Sequence, residues 1–219
     1  MLATFLPWFA DAGESKTVSA DLCVIEATPG GVACAIRAAR EGLDVILVNR
    51  TAHPGGILSS GLGVWDTVWE GKRSPIYDEL RQAIFDHYRK TFGEDSPQYR
   101  HSLPGKSGHT NGKFEPRVAE RLITAMIERE PKLRLITGYV PESVRIEERL
   151  IRSVTCREFE GDDRLTIQAV TFADATYEGD LLPLAGVEYR VGRESRDEFD
   201  EPHAGKIFLR SSKERSASI

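Results

Sequence analysis

Residues 21–49 read DLCVIEATPGGVACAIRAAREGLDVILVN, and this stretch decides the fold. Residues 21–25 (DLCVI) are a short apolar run suited to a strand buried on both faces. Thr28 and Pro29 then open a helix, the threonine hydroxyl as N-cap and the proline at the first helical position. The helix is expected over residues 30–41, with Val32, Ala35, Ile36 and Ala39 on one face and Gly42 as its stop. Residues 44–49 (DVILVN) form a second apolar strand. Strand, turn, helix and strand in this span have the spacing of a dinucleotide-binding unit. Such a unit docks a pyrophosphate on the free amides and positive dipole of the helix start.

The glycine fingerprint is eroded. GxGxxG would fall on Glu26, Thr28 and Gly31, and only the last is glycine. Gly31 lets the helix pack closely on the strand, Thr28 offers a hydroxyl to a phosphate, and Gly30 and Gly31 offer amides. Glu26 lacks glycine's freedom at a tight turn and brings a carboxylate towards a dianion. On this segment alone an ordinary α/β turn explains the pattern equally well. Asn49 ends the second strand where an acid usually holds ribose hydroxyls, and Arg50 after it suits a ribose 2′-phosphate. An NADP-dependent reductase is therefore a competing reading.

The next segment weighs against it. Residues 53–63 read HPGGILSSGLG, where adjacent Gly55 and Gly56 let backbone approach a ligand and Ser59 and Ser60 offer hydroxyls. Residues 133–137 (LRLIT) read as another buried strand. Residues 144–147, 151–159 and 165–172 alternate as three antiparallel strands. Residues 173–181 then read ADATYEGDL.

On TPGG (28–31), LVNR (47–50), GGILSSGLGVWDT (55–67) and the DAT-x-x-GDL stretch, the chain resembles bacterial FAD-dependent oxidoreductases with a glutathione-reductase-type flavin domain. The resemblance covers roughly residues 20–210. It implies an α/β fold: a Rossmann-like parallel sheet with helices and an inserted three-stranded antiparallel β-meander ahead of the last parallel strand. It implies FAD in extended form and a small-molecule substrate that gives it a hydride. Carried over by position, Thr28, Pro29, Gly30 and Gly31 face the pyrophosphate and Asn49 or Arg50 the ribose. Gly55, Gly56, Ser59 and Ser60 lie towards the flavin, and Val140 contacts adenine through its backbone. Asp174, Ala175 and Thr176 border the pyrophosphate or ribitol. Tyr177 stands where that family's pattern has glycine. No catalytic acid or base can be named, because no paired groups of suitable geometry are visible.

Other chemistries are excluded or reduced to packing. Ile57-Leu58-Ser59-Ser60 occupies the place of a redox cysteine pair, which removes disulfide reductase activity. Cys23, Cys34 and Cys156 read as packed thiols, too few and too scattered for a zinc site. Gly105-Lys106-Ser107 lacks the leading glycine of a P-loop, since Arg100 stands there. His53 reads as a loop histidine near phosphate, and His101 and His109 as exposed loop histidines. Helices expected at 75–90 and 116–130 carry apolar stripes of core type.

The composition is that of an ordinary globular protein. The 219 residues amount to about one and a half typical domains. A net charge of −5 gives no basic excess for nucleic acid, and no apolar run reaches transmembrane length. Residues 1–19 are expected as a flexible arm or an eroded export signal with small residues at Val18-Ser19-Ala20, so cytoplasm and export both stay open. Residues 20–210 are expected as an FAD-binding domain without its substrate domain, and residues 211–219 as a disordered tail. A catalytically silent Rossmann-like fragment is the second reading. The sequence does not specify an oligomeric state.

Overall fold

A computed structural model describes residues 16–67, 71–106, 108 and 110–205. The apolar run at 207–209, the tail at 211–219, the first fifteen residues and His109 lie outside the described residues. The chain divides into two compact units, Met1–Val187 and Glu188–Ile219.

In the first unit, β1 (Lys16–Ile25) leads into α1 (Pro29–Arg40) and β2 (Val45–Asn49). The short α2 (Ile57–Ser60) follows, then α3 (Pro75–Phe92), α4 (Pro97–Ser102) and α5 (Pro116–Glu128). Next come β3 (Leu133–Thr137), β4 (Tyr139–Glu147), β5 (Leu150–Glu158), β6 (Arg164–Asp174) and the one-turn α6 (Leu181–Leu184). The second unit contains α7 (Arg196–Phe199), whose Glu198 pairs with Arg190.

Among the described residues, six strands form one sheet in the order β3-β2-β1-β6-β5-β4. β3, β2, β1 and β6 are parallel, while β5 and β4 run antiparallel to their neighbours. This corrects the expected topology in one respect. β6 is at once the third strand of the meander and the parallel partner of β1, and among the described residues no separate parallel strand follows it. Its length permits both roles: residues 164–168 pair with β5 on one side, while residues 165–174 pair with β1 on the other. β1 is correspondingly long and starts at Lys16, inside the segment expected as a loose arm. Val18, Ser19 and Ala20 lie opposite Ile167, Gln168 and Ala169. Small and β-branched residues in that stretch serve a ladder, which a cleavage-site reading cannot distinguish from sequence.

Strand alternation sorts the core into two clusters. Val24, Val45 and Leu47 face the helices and pack with Ile36 of α1, Ile84 of α3 and Ile123 of α5. Cys23, Ile25, Ile46 and Val48 face the other way, against Val154, Cys156, Ile167 and Leu181. β4 returns into contact with β2 and α6, so the antiparallel arm of the sheet curls over the face that the helices leave open. Burial on both faces is why β1 and β2 read as nearly unbroken apolar runs.

The register aligns the carboxyl ends of the parallel strands. Ile25 lies opposite Val48 and Asp174, and Asn49 opposite Thr137. At this edge α1 sits hard against β1: a Cβ on Gly31 would stand 2.1 Å from the Glu26 carbonyl oxygen and 3.0 Å from Ala175 Cβ. Backbone cannot yield as a side-chain tip can. Gly31→Ala is therefore expected to destabilise the fold by about 1–3 kcal/mol, the usual cost of overpacking, as a lower urea midpoint with unchanged slope.

Candidate functional site

The leading end of α1 is built by residues that hold one another. Glu26 leaves β1 with a positive φ of 79°, the left-handed turn that glycine usually makes at the first fingerprint position. The turn survives although its customary residue does not. Thr28 caps the helix, its Oγ1 accepting from the Gly31 amide at 3.2 Å, and donates the hydroxyl proton to the Ala175 carbonyl at 2.9 Å. Being buried and engaged on both sides, the hydroxyl is not presented to a phosphate; that sequence expectation is corrected. Helix geometry leaves the Gly30 N–H without an intrahelical acceptor, and Gly30 is exposed.

Asn49 also turns inward. Only 2% exposed, it accepts from the Ala27 amide at 3.0 Å through Oδ1. Its Nδ2 donates to the carbonyls of Thr51 and His53 at 2.8 and 3.2 Å. Its amide staples the β1–α1 turn to the loop after β2, so the expectation that it faces a ribose is replaced by a framework role. Arg50 is the side chain left at that strand end.

The double glycine forms the second wall. Gly55 donates its amide to the Ala27 carbonyl at 2.7 Å. Gly56 has φ of 51°, and a Cβ there would lie 3.1 Å from Thr28 Cα and 2.4 Å from the Tyr177 hydroxyl. Pro29 closes on the same point, its Cδ 3.2 Å from that Cβ position. Ser59 and Ser60 donate their hydroxyls to the Gly56 carbonyl at 3.0 and 2.7 Å, bracing the turn.

Residues 174–180 make the third wall. The Ala175 amide donates to the Ile25 carbonyl at 2.9 Å. The Asp174 carboxylate accepts from the Thr176 amide and hydroxyl, at 3.0 and 2.7 Å, and from the Leu181 amide at 2.8 Å. Thr176 Oγ1 in turn accepts from the amides of Gly179 and Asp180. Asp174 and Thr176 thus fix the shape of the loop. Tyr177 reaches from it to the second wall, where its hydroxyl accepts from the Ile57 amide at 2.8 Å. Sequence reading noted only that a glycine was missing there; no local pattern signals so distant a partner.

Two further expectations change. His53 Nδ1 lies 2.6 Å from Glu120 Oε1, tying its loop to α5 instead of standing near phosphate. Cys34 is exposed, although Cys23 and Cys156 are buried. The helical stripe of Val32, Ala35, Ile36 and Ala39 already turns position 34 outward, so that signal was available. Val140, just past β3, is buried in β4 opposite Arg157. His101 is exposed on α4, and no group of three or more metal-ligating side chains occurs among the described residues.

Electrostatics concentrate at the end of β2. Burial pushes the Glu26 carboxyl above the ordinary glutamate range, the nearby Arg50 charge and amide oppose this, and Asp180 and Glu178 add to it. Arg50 Nη2 lies 3.3 Å from Asp180 Oδ2, with the guanidinium 5.7 Å from the centre of the Phe159 ring. Arg50 Nε is buried without a hydrogen-bond partner. This unmatched donor, beside an exposed helix start and a glycine turn too close for any side chain, suits a ligand rich in acceptor oxygens.

The family model described as FAD dependent oxidoreductase matches residues 21–216, and the chain belongs to that family. Among solved structures it is similar to the glycerol-3-phosphate dehydrogenase of Bacillus halodurans complexed with FAD. The two share 15% identity and a TM-score of 0.51, over 80% of this chain and 37% of the other. It is similar too to AlpK, at 14% identity and a TM-score of 0.51, over 77% of this chain and 34% of that one. At such identities the likeness is one of fold, and the chain spans about a third of those proteins. No curated protein sequence matches it significantly.

The raised Glu26 pKa has a definite sign in stability. Its contribution is fully present below the unfolded-state pKa and is lost as pH rises through the folded-state value. Glu26→Gln is expected to remove that loss. In urea unfolding at stepped pH, wild type should fall behind the variant from the ordinary glutamate range upward, then run parallel to it. A wild type that gains on the variant with rising pH would mean that Arg50 outweighs burial.

Proposed function

We propose that this chain binds FAD in extended form along the carboxyl edge of its sheet and serves the oxidation of a small organic molecule by hydride transfer. One juxtaposition carries the reading. Residues 26–31, 55–60 and 174–180, remote in sequence, meet at the leading end of α1, with the unmatched Arg50 Nε at the adjoining strand end. Membership of the FAD dependent oxidoreductase family supports it.

When bound, the flavin supplies the hydride acceptor. The residues of the chain bind and orient. Gly30 offers its amide, and α1 its positive end, to the diphosphate. Arg50 is assigned to the ribose by the family resemblance, and Asp180 restrains its guanidinium. Gly31 and Gly56 set the closeness of the walls; Thr28, Asn49, Asp174 and Thr176 hold them in register. Gly55 with Ser59 and Ser60 shapes the turn towards the flavin end. Val140 is assigned to adenine by the family resemblance alone.

Titration of the purified chain with FAD, followed by flavin fluorescence, should saturate at one equivalent. Arg50→Ala should weaken binding about tenfold or more, the worth of a charge-assisted hydrogen bond. Stabilisation by NADP with no response to FAD would overturn the proposal in favour of a nicotinamide enzyme, and a folded chain that takes up neither would favour a silent fragment. Tyr177→Phe frees the Ile57 amide at the same groove and is expected to tighten FAD binding about fivefold, read by the same titration.

A further inference from the structure

One side chain bridges the walls at the leading end of α1. Tyr177 stands where the family's pattern has glycine, and it crosses from the third wall to the second, where its hydroxyl accepts from the Ile57 amide at 2.8 Å. A Cβ built on Gly56 would lie 2.4 Å from that hydroxyl, 3.1 Å from Thr28 Cα and 3.2 Å from Pro29 Cδ. The phenol head, the double glycine and the first turn of α1 therefore crowd on one spot. A diphosphate docking on the free amides of that turn competes with the phenol for the same space.

The crossing is free to move at its side chain and held at its backbone. The Asp174 carboxylate accepts from the Thr176 and Leu181 amides, and Thr176 Oγ1 accepts from those of Gly179 and Asp180, so the loop on either side of Tyr177 is pinned. The Tyr177 side chain itself is 63% exposed. A hydrogen bond at so open a place has a small net worth, and an exposed side chain turns about its own bonds within nanoseconds. Opening thus leaves the walls where they are and frees the Ile57 amide.

We propose that Tyr177 is a latch: its hydrogen bond to Ile57 bars the diphosphate groove in the ligand-free chain, and a dinucleotide binds only to molecules whose Tyr177 side chain has swung out. That the dinucleotide is FAD rests on the function proposed above; the latch acts on any diphosphate that docks on α1. The two kinds of role differ in kinetics. A latch in rapid equilibrium multiplies the association rate by the open fraction and leaves dissociation alone, because the bound complex has the latch open in either case. A side chain that served as a ligand contact shows its loss chiefly in dissociation.

The test is stopped-flow fluorescence of wild type, Tyr177→Phe and Tyr177→Ala with FAD and with N-methylanthraniloyl-ADP, a diphosphate that lacks the flavin. Tyr177→Phe keeps the ring and loses the hydrogen bond; Tyr177→Ala loses both. Tyr177→Phe should associate with FAD about fivefold faster than wild type and Tyr177→Ala at least as fast, with dissociation unchanged to within about twofold. Thermal melts check folding, and if Tyr177→Ala does not fold, Tyr177→Phe decides. Equal association rates in wild type and variants, or a difference carried by dissociation, overturn the latch and leave the FAD reading standing. If no chain takes FAD but the ADP derivative shows faster association in the variants with unchanged dissociation, the latch stands and the FAD reading falls. If no chain takes either probe, both fall.

Discussion

The Thr28 hydroxyl is the joint on which the carboxyl edge depends. With one oxygen it caps α1 and holds the Ala175 carbonyl, joining residues 147 positions apart. That bond fixes the start of the helix against the end of β6. The close seating of Gly31 under the Glu26 carbonyl and against Ala175 follows from it. Once those three segments are fixed, the loop after β2 has a rigid surface to close on. Asn49 and the Gly55 amide then fasten it to Ala27.

This arrangement separates framework from contact. Thr28, Asn49, Asp174 and Thr176 have polar groups suited to a nucleotide, yet each uses them on neighbouring backbone or side chains. What is left unengaged is sparser: an exposed helix start, a glycine turn and one buried, unmatched guanidinium nitrogen. Such a division suits a site for an extended cofactor, since a groove whose walls are already satisfied loses little order when a ligand arrives. Glu26 is the exception. Its burial raises the cost of its charge at the place where a diphosphate would bring more.

The same helices that present this edge enclose an apolar space on their inner side. α2, α3 and α5 surround it, and α1 contributes its first turn. Trp65 follows directly on the glycine- and serine-rich stretch that braces α2, so one segment serves both the groove and the cavity. A change in the double-glycine turn would therefore be felt at both places.

Much of this was written locally. An apolar run, a Thr-Pro helix start, a five-residue strand at 133–137 and alternating stretches after it specify their elements through hydrogen bonding and side-chain period, which need no distant partner. The convergence of three motif segments was legible too, because glycine-rich turns at strand ends point to one sheet edge. Tertiary structure alone decided that β6 completes both the meander and the parallel sheet, because pairing is a property of two strands and not of one. It alone decided that Asn49 points inward while Arg50 Nε stays unmatched, and that Tyr177 reaches Ile57. A side chain's direction and partners depend on what the folded chain brings to it, and sequence spacing records neither.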